Sequence, residues 1–391
     1  MGEISIIVRT PYFIIDKPRL LHNLNILKGV MDRTGCQILL AQKCFSCYQL
    51  YPFIGEYLAG ATASGLFEAR LCKEEMPGKQ NHVFSPAFRE DEIDEIVAIC
   101  DHIVFNSPRQ LLLFGRKAKE AGCEIGLRIN PEHSTQEAEH AIYDPCAPGS
   151  RLGTRLDVLE QAIQSNPEIL DMLDGLHFHT LCEQNSDDLL TTLDAVEEKF
   201  GKYLGRMKWI NFGGGHHITR DDYDIPTLEA CIRRMKDNYS LQVYLEPGEA
   251  VALNAGRLVT TILEIQHQQN GISNVIVDTS AACHMPDVIE MPYTPPLQHA
   301  KPLDRDTNTS VIANTYRLGG PTCLSGDMIG TYEFDHELCV GEELTFEDMA
   351  IYSMVKTNTF NGMPLPDIYI NDGNEVTLWK HFTYNDFKSR L

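Results

Sequence analysis

The chain is short of positive charge: 33 lysines and arginines stand against 55 aspartates and glutamates, a formal net charge of −22. A surface of that sign repels phosphate backbones, which excludes nucleic-acid binding as the expected purpose. No apolar run approaches the roughly 18 residues that a spanning helix needs, and the opening MGEISIIVRT places no basic region ahead of an apolar core. No membrane contact and a cytoplasmic location are therefore expected. The twelve cysteines are scattered and lack the density of a disulfide scaffold, so they read as reduced thiols, mostly small core residues. Low-complexity segments are also missing.

What is present is a large apolar fraction, 43% of 391 residues, enough for one large domain and a smaller one, each with its own core. Cys36-Gln-Ile-Leu-Leu-Ala-Gln-Lys43 reads as a strand buried on both faces with a single lysine at its C-terminal end. Seven further apolar runs follow: 57–64, 82–88, 102–107, 124–130, 175–180, 209–215 and 242–248, each preceded by a helical pattern. Starts mostly about 20 to 35 residues apart match parallel βα units and, at eight, a closed (β/α)8 barrel over 19–250. The longer connection 131–153 is polar and carries glycine and proline, as functional or disordered loops do, and it follows the fifth strand at the end where barrel enzymes keep their active sites. Beyond 250, the β-rich runs 257–265, 274–278, 309–317 and 366–370 predict a second, mainly antiparallel β-domain, 251–391, joined by residues 1–18.

Barrel chemistry belongs at the C-terminal strand ends, which gather Lys43, Arg128, His179, Gly213, Gly214, Gly215 and Glu246. A lysine desolvated there loses its proton and becomes a nucleophile for carbonyl groups or pyridoxal phosphate; otherwise it is a solvated strand end. The glycine run lets backbone N–H groups close on an anion, or is merely a tight turn. Glu246, before Pro247-Gly248, suits a pyridine nitrogen or a pairing with Arg128. His177 and His179, two apart, are expected on one side of a strand, whereas His216 and His217 are expected on a loop surface. In the second domain Cys323 presents a thiol able to donate a proton, or one simply buried in the core.

Taken in order, Ala41-Gln-Lys43-Cys44, Arg128 in GLRIN, His177-Phe-His179, Gly213–Gly215, Glu246-Pro-Gly248, Gly320-Pro-Thr-Cys323 and Ala350-Ile-Tyr352 resemble the pyridoxal-phosphate basic amino acid decarboxylases with an alanine-racemase-like barrel. Ornithine and diaminopimelate decarboxylases are among them. HFHTLCEQ (177–184), EPGEA (246–250), DTSAACHMPDVIEMPY (278–293) and GPTCLSGD (320–327) are similar, more narrowly, to the branch acting on a carboxylated polyamine substrate. The resemblance implies pyridoxal 5'-phosphate held by Lys43 as a Schiff base, His179 stacked on its ring and Glu246 at its pyridine nitrogen. It implies Gly213–Gly215 and Tyr352 at the phosphate, Arg128 nearby, and no metal. It further implies a homodimer with shared active sites, in which Cys323 reaches the partner's site as proton donor.

Two departures from the broader family stand out. Glu249 occupies the place of an arginine after Glu-Pro-Gly, and Leu324 that of an acid after the cysteine. Carboxylates for distal substrate amines are therefore sought among Glu183, Glu249, Asp287, Glu290 and Asp327. The rival readings are a racemase on the same barrel, a non-catalytic cofactor carrier, and a metal-dependent hydrolase using His177, His179, His216 and His217.

Overall fold

The computed structural model of the chain describes residues 9–136, 144–268, 271–303 and 314–391. The segment 1–18 expected to join the sheet, the loop at 131–153 and the strand at 309–317 each fall partly outside them. Two compact units emerge, His22–Val251 and the residues up to Leu21 with Ala252–Leu391.

The first unit is a closed barrel of eight parallel strands. In chain order these are β2 (Gln37–Ala41), β3 (Gly60–Ala63), β4 (Gln80–Phe84), β5 (His102–Phe105), β6 (Glu124–Arg128), β7 (Gly175–His177), β8 (Trp209–Asn211) and β9 (Gln242–Leu245); β1 precedes them in the other unit. Each strand pairs with the next, and β2 closes on β9. The interior is filled by side chains: Leu39, Val104, Trp209 and Tyr244 pack together, and His82 stacks on His102 with ring centres 3.9 Å apart. Gly126 and Gly175 lie against the Trp209 indole, where any side chain would overlap it, so two missing side chains make room for one large one.

Several strands stop two or three residues short of the predicted ends. β2 ends at Ala41, and β7 ends at His177. At these ends the chain leaves the ladder so that polar side chains and backbone turn into the mouth.

The second unit is a mixed, mainly antiparallel sheet in the order β12-β14-β13-β11-β10-β1-β16-β17, with β15 added to β10. Its strands are β1 (Tyr12–Asp16), β10 (Gly256–Gln266), β11 (Ser273–Val277), β12 (Ala300–Leu303), β13 (Thr315–Gly319), β14 (Met328–Phe334), β15 (Glu343–Glu347), β16 (Asp367–Asn371) and β17 (Val376–Lys380). Parallel pairs occur at β1/β16 and β11/β13. Its core gathers Phe13, Leu258, Ile262, Val277, Ile329, Tyr332 and Phe346.

Candidate active site

Glu246 follows β9 and is almost fully buried, 7% exposed. Asn211 at the end of β8 donates Nδ2–H to its Oε1 at 2.7 Å, and the same Asn211 accepts the Gly213 N–H at 2.8 Å. Burial alone would raise the Glu246 pKa, but the adjoining His177, Asn211 and Thr62 outweigh it and hold the carboxyl below its usual range. The carboxylate is therefore ionised in a dry place.

His177, at the end of β7, sets Nε2 3.3 Å from Glu246 Oε2, yet both of its ring nitrogens are buried without a hydrogen-bond partner. Burial keeps it below the ordinary imidazole value despite the carboxylate. Its ring stacks on Phe84 (centres 5.6 Å apart), and Phe84 lies 4.7 Å beneath the Arg128 guanidinium. Burial pulls Arg128 down to about 10, still charged at neutral pH, and its Nη2 donates to the His179 carbonyl at 3.1 Å. Arg128 thus holds the β7 loop and is not the partner of Glu246.

The glycine run adopts a turn that side chains would block. Gly213 and Gly215 have φ of +70° and +82°, and a Cβ on either would overlap the carbonyls of Phe178 and Leu181; one on Gly214 would lie 2.7 Å from the Glu246 carbonyl oxygen. The Gly214 N–H donates to His179 Nδ1 at 3.3 Å. That places the proton of the neutral ring on Nε2. Burial, with the charges of Lys43 and Arg128, keeps His179 well below the ordinary imidazole range. His179 lies beyond the end of β7, so the expected shared strand face with His177 does not exist.

Lys43 stands two residues beyond β2 in the turn 42–44, and in the single chain it is exposed, which corrects the expectation of a desolvated amine. Its charge still reaches His177 and His179. Cys44 and Cys47, at C-x-x-C spacing after it, are buried and form no disulfide, and burial pushes Cys47 up to about 12.

His216 and His217 are buried at 1% and 6% exposure, not on a loop surface. The Gly215 turn tucks them inward: His216 Nε2 lies 3.3 Å from the Phe212 carbonyl, and His217 Nε2 lies 2.8 Å from Glu249 Oε2. For His217, burial is outweighed by Glu249 and more distant Glu183, so its pKa is raised. No metal-binding group of three His, Cys, Asp or Glu occurs among the described residues, the four histidines weighed as metal ligands included.

The sheet unit carries the remaining candidates. Cys323 is exposed, not a core thiol. Asp327, sought as a substrate acid, is 2% exposed and accepts from Ser280 Oγ (2.9 and 3.0 Å), Ala282 N (3.1 Å), Thr322 N (3.4 Å) and Thr322 Oγ1 (2.6 Å). Its oxygens fasten the 320–327 turn and are not turned to solvent. Asp287 and Glu290 both accept from Lys356 Nζ, at 2.5 and 2.6 Å. Tyr352 has a left-handed backbone (φ +49°), and Lys356 Nζ lies 5.7 Å over its ring.

Within the barrel, then, a buried ionised carboxylate, a neutral imidazole, a tight glycine turn and a lysine ring one mouth. That set fits a phosphorylated pyridine aldehyde: buried His177 nitrogens without a hydrogen-bond partner, beside the ionised Glu246, are what a ligand's polar atoms would complete. A family model described as "Pyridoxal-dependent decarboxylase, C-terminal sheet domain" matches residues 13–350. The chain belongs to the pyridoxal-dependent decarboxylases. It is an enzyme, a carboxy-lyase, and pyridoxal phosphate is its cofactor.

Among relatives of this decarboxylase, the carboxynorspermidine/carboxyspermidine decarboxylase of Campylobacter jejuni is 42% identical over 389 residues, 98% of each chain. Carboxyaminopropylagmatine decarboxylase of Synechocystis is 38% identical over 98% of this chain and 95% of that one. The crystal structure of carboxynorspermidine decarboxylase complexed with norspermidine, from Campylobacter jejuni, matches with a TM-score of 0.88 at 41% identity, over 98% of this chain and all of that one. Sequence reasoning passed over Asn211, Phe84 and the His217–Glu249 pair. Asn211 carried a readable signal, a polar residue ending an apolar barrel strand; the others become visible only across strands.

Proposed function

We propose that this decarboxylase acts on carboxynorspermidine or carboxyspermidine, releasing carbon dioxide and norspermidine or spermidine. The supporting observation is the 42% identity, over nearly the full length of both chains, to the Campylobacter enzyme of that name. Bound pyridoxal phosphate supplies an electron sink for the carbanion left when the carboxylate departs.

The chain's own groups do the rest. Lys43 would hold the cofactor covalently through its amine. Ionised Glu246, fixed by Asn211, keeps a proton on the pyridine nitrogen. Neutral His179 stacks on the ring; Gly213–Gly215 and Tyr352 bind the phosphate, with Arg128 nearby. In this reading residues 19–250 form the cofactor domain, and residues 1–18 with 251–391 deliver Cys323 to the partner's site in a cytoplasmic homodimer, where the thiol protonates the α-carbon. Among the acids, Glu183, Glu249, Asp287 and Glu290 remain for the distal amines. Glu249 offers the oxygen that His217 does not hold, and Glu290 is more exposed than Asp287.

The 38% identical Synechocystis relative favours a second substrate, carboxyaminopropylagmatine, which exchanges an amine terminus for a guanidinium. Steady-state kcat/KM on the three carboxylated substrates, with ornithine and diaminopimelate as controls, tests both readings. The highest value on carboxynorspermidine or carboxyspermidine is expected, and the highest value on either control would overturn the polyamine assignment.

A further inference from the structure

Gln184 joins three loops of the barrel mouth. Its backbone N–H donates to the Gly215 carbonyl at 3.0 Å and its carbonyl accepts the His217 N–H at 3.4 Å, a parallel bridge alongside His216. Those bonds fix the glycine turn to the loop after β7. The side chain makes a separate set. Its Oε1 accepts from Thr135 Oγ1 (2.8 Å) and Gln136 Nε2 (2.6 Å), and its Nε2 donates to the Thr135 carbonyl at 2.8 Å. Cys182 N also approaches Oε1 at 3.4 Å. Backbone and side chain of one residue therefore hold different loops: the anion turn 213–215 on one side and 131–136, after β6, on the other.

A primary amide suits this position because it donates and accepts in one plane, so a single side chain meets both a carbonyl and two donors. Next to it, Glu183 takes a left-handed backbone (φ +55°), which turns the Gln184 amide toward 131–136 while the main chain continues along the turn. The Gly215 turn packs so closely on Leu181 that a Cβ there would overlap the Leu181 carbonyl, so the glycine turn and the β7 loop are in direct contact.

We propose that Gln184 is a positioning residue that couples occupation of the glycine turn by the cofactor's phosphate to the ordering of residues 131–136. It rests on the reading of that turn as the phosphate site. Coupling of this kind is reciprocal: the ligand steadies the loop, and the loop tightens the ligand. Replacing the side chain removes its bonds to Thr135 and Gln136, leaving between these segments the longer Gln136 Nε2 bond to the Cys182 carbonyl (3.5 Å), and leaves the backbone bonds to Gly215 in place.

Hydrogen–deuterium exchange on the full chain, with and without pyridoxal phosphate, tests it, with bound cofactor followed independently by visible absorbance. In the wild type, cofactor is expected to slow exchange at both 213–217 and 131–136. In Gln184→Ala the slowing at 213–217 persists, that at 131–136 disappears, and cofactor affinity falls about tenfold. Gln184→Glu, which keeps the acceptor and loses the donor, is expected to restore part of the response. Should Gln184→Ala fail to fold, Thr135→Val cuts a contact at the far end and is expected to weaken the 131–136 response alone. A full 131–136 response to cofactor in the folded Gln184 or Thr135 variant overturns the coupling. A wild type that binds no cofactor overturns the site assignment instead.

Discussion

Glu246 and Asp327 are both buried carboxylates, one in the barrel and one in the sheet unit, and their surroundings differ in kind. Asp327 accepts from Ser280, Ala282 and Thr322 with both oxygens engaged. Glu246 accepts from Asn211 at one oxygen, while the other lies 3.3 Å from Nε2 of His177, whose ring nitrogens complete no hydrogen bond, with Thr62 adding to the hold on the carboxyl. A saturated buried carboxylate fastens a turn. An ionised one beside unsatisfied polar atoms keeps capacity for something else, and such capacity is costly to bury unless a ligand uses it. The difference separates a structural acid from one prepared for a cofactor, although both read as candidate site residues along the chain.

The strongest test of the mouth is Lys43→Ala. It should abolish both the visible absorbance of bound cofactor and decarboxylation, and a variant retaining both would remove Lys43 from its role. Glu246→Gln should lower kcat by roughly 10²-fold, since it removes the charge that holds a proton on the cofactor, while leaving thermal unfolding nearly unchanged. Asp327→Asn should do the reverse, costing about 2–3 kcal/mol in urea unfolding because a donor replaces an acceptor facing Thr322, with a smaller loss of kcat per folded enzyme. If the two variants gave the same split between kcat and stability, the contrast between the acids would collapse. Cys323→Ala should slow turnover and leave cofactor absorbance intact, as expected of an exposed thiol that donates a proton and does not hold the cofactor.

The smallest effect concerns pH. His217 has a raised pKa in the fold, so its pairing with Glu249 contributes stability fully present below about pH 6.5 and lost as pH rises through the folded value. His177 and His179 are lowered and work the other way, withdrawing stability as pH falls below about 6.5. The difference between wild type and His217→Gln isolates the first: unfolding free energies should be furthest apart below pH 6.5 and converge above it. A gap that widens with rising pH would contradict the pairing.

Much of this was legible in the chain itself. The spacing of apolar runs announces eight βα units because a strand, a loop and a helix need a fairly constant number of residues. Lys43, the glycine run and Glu246 mark strand ends because polar or turn-forming residues stop apolar runs. What periodicity cannot express is which groups face one another across strands. It placed His216 and His217 at the surface, desolvated Lys43, and treated Asp327 as available, since burial and hydrogen-bond saturation depend on neighbours tens of residues away. The sequence by itself determined the barrel, the sheet and the residue types at the mouth. Only the tertiary structure decided that Asn211 fixes Glu246, that Glu249 is held by His217 and that Gln184 joins three loops, because each is a contact closed between separate segments of the chain.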